Sequence, residues 1–321
     1  MKIAVSKRAW HAERDHGLRG YHDLGPRERT PRLALVADLE GSELNGMFVL
    51  SRLAAFLKSI QAGEQPGLRL RERVVIVPTG RALRINDARA TRIGASTSKT
   101  TGSEVQPLLD AVMAITRKAY YRVDIHTANL DIEELPQIRL YAPNDDERAS
   151  ACLFGLPAVI ERPHDPGVTS RLVQAWGACG GENFVIRAGQ SGSLQTWHCE
   201  ILFRALLAFL DRTGILSGLT LAAEEEDLRY FGADQIFTLL AEQSGLFTSR
   251  LKVGRWVRAG EELGHIYDSF SGGVKTRVIA PIAGLLVSLR RQPLLCAGNL
   301  IARILIPVQS PAHPALSGRR V

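Results

Sequence analysis

The sequence predicts an α/β protein, a mixed and largely parallel sheet flanked by helices, followed by a small all-β unit. Three observations carry this. Short apolar runs at residues 33–36, 73–78 and 184–187 alternate with segments of helical period up to about residue 215. That is the pattern of strands covered by helices on both faces. From Gln235 onward the period changes to short alternating runs separated by glycines, the pattern of antiparallel hairpins. Finally, 321 residues with 45% hydrophobic and 23% charged side chains suffice for one large or two ordinary globular units.

Residues 1–31 are polar and rich in His and Arg, with Gly25-Pro26 and Thr30-Pro31 as breakers. They predict an irregular lead-in with a short strand at 3–5. His11, His16 and His22 match no common metal-ligand spacing and read as solvated histidines. A strand at 32–37 turns into a helix at 44–60, ended by Gly63 and Pro66. The strand at 73–78 precedes a polar stretch, 79–102, that carries Arg81, Arg84, Arg89 and Arg92. A loop of that length inside a domain is functional or mobile. Its tail, G-A-S-T-S-K-T-T-G, lacks G-x-x-x-x-G-K-[ST] and predicts no nucleotide site. A helix at 103–119 and a strand at 120–125 follow. Strands at 137–142 and 158–161 enclose a helix at 145–154. A helix at 170–179, a strand at 184–187 and a long helix at 194–212 complete the α/β unit, 32–216. Residues 217–234, with the acidic run 224–227, predict a connector. The β unit spans 235–307, and the Pro-rich end, 308–321, predicts disorder.

Composition excludes several classes. No apolar run reaches the roughly 18 residues of a membrane span, and the N-terminus lacks the apolar core of a secretory signal. Cys152, Cys179, Cys199 and Cys296 lie far apart without C-x-x-C, which fits thiols in a reducing cytoplasm. The net charge is +7, but the arginines are scattered and aromatics make up only 6%. That argues against nucleic acid and for a surface that attracts small carboxylates.

The stretch A-D-L-E-G-S-E-L-N-G, residues 37–46, is a strand-to-helix corner. It puts Glu40 and Glu43 at the C-terminal end of a strand, where open α/β sheets bind ligands. A second strand ends in D-I-H-T, residues 124–127. There Asp124 can orient His126, as a metal ligand or a general base, or as a hydrogen-bonded core histidine. The strand F-V-I-R ends in a charge, Arg187.

Within the β unit, G-R-W-V-R-A-G-E-E-L-G-H-I and A-P-I-A-G-L-L-V with C-A-G-N-L-I pair as two related hairpins. They resemble the barrel-sandwich fold of lipoyl and biotinyl carriers. The tip after Ala280-Pro281 is Ile282-Ala283-Gly284 and has no Lys, so a structural or lid unit is expected rather than a carrier. The whole order, residues 32–306, resembles the succinylglutamate desuccinylase and aspartoacylase family. These are zinc-dependent amide hydrolases with a zinc-carboxypeptidase-like α/β core and a C-terminal β domain. The resemblance rests on G-S-E-L-N-G, V-V-I-V-P, V-D-I-H-T, F-V-I-R-A-G and the hairpins. It implies a cytoplasmic deacylase of a small acyl-amino-acid-like or peptide substrate.

The chain departs from the family pattern at three places. The family's first corner reads H-G-x-E-x-x-G, and its His and Glu bind zinc with the His of D-x-H. Here Glu43 and His126 keep two of those positions, and Glu40 stands at the first. Two carboxylates and one imidazole are a harder donor set, which shifts preference from zinc toward manganese, iron or magnesium, or lowers affinity. The family's general base is a Glu at the position of Arg187, and Arg cannot take a proton from water. Glu40 is the candidate substitute base. The family's Asp-x-Asn-Arg segment is absent, which leaves Arg81, Arg89, Arg92 or Arg187 as the carboxylate clamp, the loop arginines otherwise being surface residues. Two readings follow. One is a divergent hydrolase with one divalent metal at Glu40, Glu43 and His126. The other is a catalytically inactive homologue, a metal-free pocket in which Arg187 satisfies Glu40 and Glu43 and which binds a carboxylate ligand or a partner protein. Self-association is compatible with both.

Overall fold

The computed structural model of the chain describes residues 20–39, 41–78, 102–163, 170–221 and 229–307, the side chains of 102–107 excepted. In chain order the first part holds β1 (His22–Leu24), β2 (Leu33–Ala37), α1 (Leu44–Gln61), β3 (Arg69–Leu70), β4 (Val74–Val77), α2 (Gly102–Thr116), β5 (Tyr121–Ala128), β6 (Ile132–Tyr141), α3 (Asp145–Cys152), β7 (Ala158–Arg162), α4 (Arg171–Trp176), β8 (Glu182–Gln190), α5 (Thr196–Arg212) and β9 (Leu216–Ser217). The second part is almost all strand: β10 (Arg229–Phe231), β11 (Ile236–Leu240), β12 (Gly245–Thr248), β13 (Trp256–Val257), β14 (Glu262–Tyr267), β15 (Val274–Ile279), β16 (Gly284–Arg290), β17 (Leu294–Leu295) and β18 (Leu300–Leu305). Among the described residues no helix is long and apolar enough to cross a membrane.

The centre is parallel. β4, β2, β5 and β8 run side by side in one direction, and β2 and β4 are apolar on both faces because helices cover both. Alternation along β2 sorts the contacts. Leu33, Leu35 and Ala37 face α1 and α5, whereas Val36 joins Val77, Val112, Leu172 and Trp176 under α2 and α4. Gly46 lets α1 sit close on the sheet. A Cβ there would lie 3.0 Å from that of Ala37 and 3.1 Å from Ile125. Asn45 ties the same turn to the next unit, accepting from the Gln195 amide at 2.8 Å.

The main sheet has twelve strands, in the order β1-β4-β2-β5-β8-β6-β16-β18-β11, with β7, β10 and β13 branching from it. β6 is the junction. Its C-terminal half pairs in parallel with β7, and its first residues pair antiparallel with β16, Ser288 standing opposite Glu134. Hydrogen bonding therefore runs unbroken from the helix-covered strands into the C-terminal ones. A four-stranded sheet, β15-β14-β12-β17, lies outside it.

Several elements differ from the sequence expectation. The lead-in contains β1, antiparallel to β4 and held by the two-pronged Arg73–Asp23 pair at 2.8 and 2.7 Å; His22 lies in it. The connector contains β10, parallel to β7. β6 begins at Ile132 rather than at 137, because Glu133 and Glu134 have charged partners in the fold. The irregularity between Glu134 and Gln137 in the β6–β8 ladder accommodates Pro136, which has no N–H to donate. The strand expected at 3–5, His11, His16, the loop arginines, the acidic run 224–227 and the tail 308–321 lie outside the described residues.

Candidate functional site

β2, β5 and β8 end side by side, so their last residues converge. The register places His126 opposite Arg187, and α1 brings Glu43 up from its first turn. Glu43 stands at the N-cap of α1 but makes no side-chain cap bond. Its Oε1 accepts instead from the Thr127 N–H at 3.2 Å and lies 2.9 Å from His126 Nδ1. The corner is held from behind by Asp38, which accepts from the Glu43 N–H at 2.8 Å. Asp38 adopts a left-handed φ of 50°, a strained backbone for a non-glycine residue.

Asp124 takes the other side of the imidazole, with Oδ2 2.7 Å from His126 Nε2. The Ser170 hydroxyl donates to the same oxygen at 2.5 Å and caps α4 by accepting from the Leu172 and Val173 amides. Burial disfavours an imidazolium here, but Asp124 and Glu43 outweigh it, and the His126 pKa stands well above its ordinary value. In its charged form the ring would donate to one carboxylate on each side.

Arg187 projects from β8 on the same face. Its Nε donates to Glu134 at 2.8 Å and its Nη2 to the Thr127 carbonyl at 2.9 Å. The sequence expectation that Arg187 would satisfy Glu43 is thereby corrected, whereas Glu40 lies outside the described residues. Glu134 is its carboxylate, and Glu43 is engaged by His126. Glu134 is 2% exposed and also accepts from Arg139 at 2.7 Å, from Arg303 at 3.4 Å and from Ser288 at 3.4 Å. Burial raises its carboxyl pKa, but Arg139, Arg187 and Arg303 prevail and bring it down from 4.5 to about 2. The sequence reading missed Glu134, Arg139 and Arg303. The available signal was E-E at 133–134, an acidic pair directly after a strand that ends in candidate chemistry.

Glu43, Asp124, His126 and Arg187 thus come together. Glu40, Arg81, Arg89 and Arg92 lie outside the described residues. The donor set can be tested against a metal on the side chains present. Glu43 and His126 face each other with Asp124 behind the ring, and Glu43 Oε2 is buried without a partner. These suit two ligands of a divalent ion. Among the described residues no group of three donors completes a site. The residue at the base position is a guanidinium, and the nearest carboxylate to it, Glu134, is far too acidic to accept a proton at neutral pH. The described residues therefore do not make a metal-hydroxide site.

A cavity of about 900 Å³ lies at the opposite, N-terminal edge of the parallel strands, lined among others by Arg29, Arg32, Arg117, Tyr120 and Cys179. It contains none of the converging residues, and open α/β sheets present ligand sites at the other end.

No family model matches the chain, and no curated protein matches it by sequence. Solved structures do match. The succinylglutamate desuccinylase/aspartoacylase from Rhodobacter sphaeroides has a TM-score of 0.64 at 19% identity, covering 87% of this chain and 86% of that one. An aspartoacylase family protein from Mesorhizobium loti has a TM-score of 0.64 at 17% identity, covering 88% and 87%. The ectoine utilization protein EutE (DoeB) from Ruegeria pomeroyi, in a product-bound structure, has a TM-score of 0.62 at 19% identity and covers 86% of each chain. The helix-flanked mixed sheet with its C-terminal strands is thus the fold of the succinylglutamate desuccinylase and aspartoacylase proteins.

Proposed function

We propose that this chain is a member of the amide-hydrolase group whose fold it shares, and that its cleft binds a carboxylate-bearing, acyl-amino-acid-like ligand without cleaving it. The observation that carries this is Arg187. It stands where the family resemblance expects a general base, it is fixed by Glu134 and Thr127, and Glu134, the carboxylate paired with it, is too acidic to take that role. Its Nη1 makes no hydrogen bond among the described residues, which leaves a charged donor for a ligand carboxylate. Hydrolysis needs a proton acceptor within reach of the attacking water, whereas binding does not.

A second reading keeps hydrolysis, with Glu43, His126 and the undescribed Glu40 holding one divalent ion. The backing of His126 by Asp124 at 2.7 Å favours it. One experiment separates the two. A panel of N-acyl amino acids is titrated calorimetrically, and free amino acid is assayed with and without added zinc or manganese. Binding without release is expected. Metal-dependent release that disappears in both Glu43→Ala and His126→Ala would overturn the proposal.

A further inference from the structure

We propose that Gln137, Arg139, Arg162 and Arg303 line a second oxyanion subsite beside Arg187, suited to a dianionic group such as a phosphate monoester. This deepens the reading above and rests on it for the position of the ligand in the cleft.

The sheet brings these residues to one face. Gln137 stands opposite Arg187 across β6 and β8. Alternation puts Arg139 and Tyr141 on the same side as Gln137, and Tyr141 is paired with Arg162 across β6 and β7. From the other direction Arg303 is paired with Ser288, and Ser288 with Glu134. Ile138 and Leu140, between these residues in sequence, point the other way into the main core.

Charge and hydrogen bonding are both left incomplete. Four guanidinium groups (Arg139, Arg162, Arg187 and Arg303) share one buried carboxylate, Glu134. Among the described residues, counted against Glu134, that leaves an excess of three positive charges. Glu161, adjacent to Arg162, is committed to Arg148 and Tyr230, and among the described residues Arg162 has no ion pair. Burial and the positive charge of Arg139 and Arg303 lower the Arg162 pKa. Burial also lowers that of Arg303, with Glu134 opposing and Arg139 and Arg187 adding to the effect. Independently, Gln137 is fully buried and neither its Nε2 nor its Oε1 has a partner, and Arg139 Nε is buried without an acceptor. Buried polar groups are normally satisfied, so unused donors beside surplus cations mark a place for an anion. A carboxylate supplies one charge and two acceptor oxygens. A phosphate monoester supplies close to two charges and three oxygens, which better matches three surplus cations and the unused amide.

The test is calorimetric titration of the full chain with inorganic phosphate at matched ionic strength, with succinate in a parallel arm. Saturable phosphate binding is expected, tighter than succinate. Arg162→Ala and Arg303→Ala should each weaken it at least tenfold, whereas Arg277→Ala, an exposed residue of β15, should leave it unchanged. If Arg303→Ala does not fold, Arg162→Gln carries the test, since among the described residues Arg162 has no ion pair to lose. Absence of saturable phosphate binding, a preference for succinate, or equal affinity in the Arg162 and Arg277 variants would overturn the inference. The two proposals fail separately. Phosphate binding accompanied by amide hydrolysis would sink only the non-cleaving reading, and no phosphate binding in a non-cleaving protein would sink only the subsite.

Discussion

Replacing Glu134 by Gln should be among the most damaging polar substitutions in the molecule, and its effect should fade in acid. The carboxylate is 2% exposed and its pKa falls from 4.5 to about 2. At about 1.4 kcal/mol per unit, that depression corresponds to about 3 kcal/mol of stability from the charged form. A group with a depressed folded pKa contributes fully above its unfolded value, here near 4.5, and loses the contribution as pH falls toward 2. Gln keeps the shape but leaves Arg139 and Arg187 buried without a counter-charge, a loss of about 3–5 kcal/mol for broken buried pairs. Urea unfolding of both proteins at pH 7, 5 and 3 measures this. A destabilisation of about 3 kcal/mol or more is expected at pH 7, with a smaller gap at pH 3. A pH 7 loss below about 1 kcal/mol, or a gap that does not change with pH, would refute the account of Glu134 as the charge that holds the arginines.

Gly189→Ala should cost at least about 2 kcal/mol in thermal or urea unfolding. The residue has φ 75°, and a Cβ would lie 2.2 Å from Gln195 Oε1 and 2.3 Å from Asn45 Nδ2. Ser170→Ala removes the cap of α4 and the hydroxyl donor to Asp124 and should cost about 1 kcal/mol, whereas Ser170→Asn should recover part of that by restoring a capping oxygen. Equal losses in the two Ser170 variants would show that the cap contributes nothing.

Much of the α/β fold was legible because its signals are local. The run L-A-L-V-A needs no partner to read as a buried strand. The convergence of Glu43, Asp124 and His126 was legible because each sits at the end of a recognisable strand or corner. Glu134 was not. Its strand starts with D-I-E-E, and charged residues at the start of a strand look solvent-exposed until their partners are known. Those partners come from β6 itself, β8 and β18, and Arg303 lies 169 residues away in sequence. Arg162 and Gln137 were hidden for the same reason: their meaning depends on which strands become neighbours. The continuity of the sheet through β16 was equally non-local, since it depends on one three-residue pairing, Ser288, Leu289 and Arg290 with Glu134, Glu133 and Ile132.

The pairing of Glu134 with Arg187 also fixes what a carboxylate would meet at residue 187, where the family resemblance expects a general base. A single change of Arg187 to Glu would place a second carboxylate beside Glu134 in the low-dielectric seam between β6 and β8. Attraction would become repulsion, and Arg139 and Arg303 would have to satisfy both acids. A neutral residue at 187 would leave the Thr127 carbonyl without its donor. Restoring a base therefore requires at least two coordinated changes, one at 187 and one at 134. The arrangement differs from a pocket emptied of charge, because Arg187 and Glu134 match each other. Gln137, Arg139 Nε and the surplus guanidinium charge lie on the side of Arg187 away from His126, whereas Glu43 Oε2, Asp124 Oδ1 and Thr127 Oγ1 are buried without partners on the His126 side. On this face of the sheet, the proposed recognition of an anion is the use that Gln137, Arg139, Arg162 and Arg303 suit.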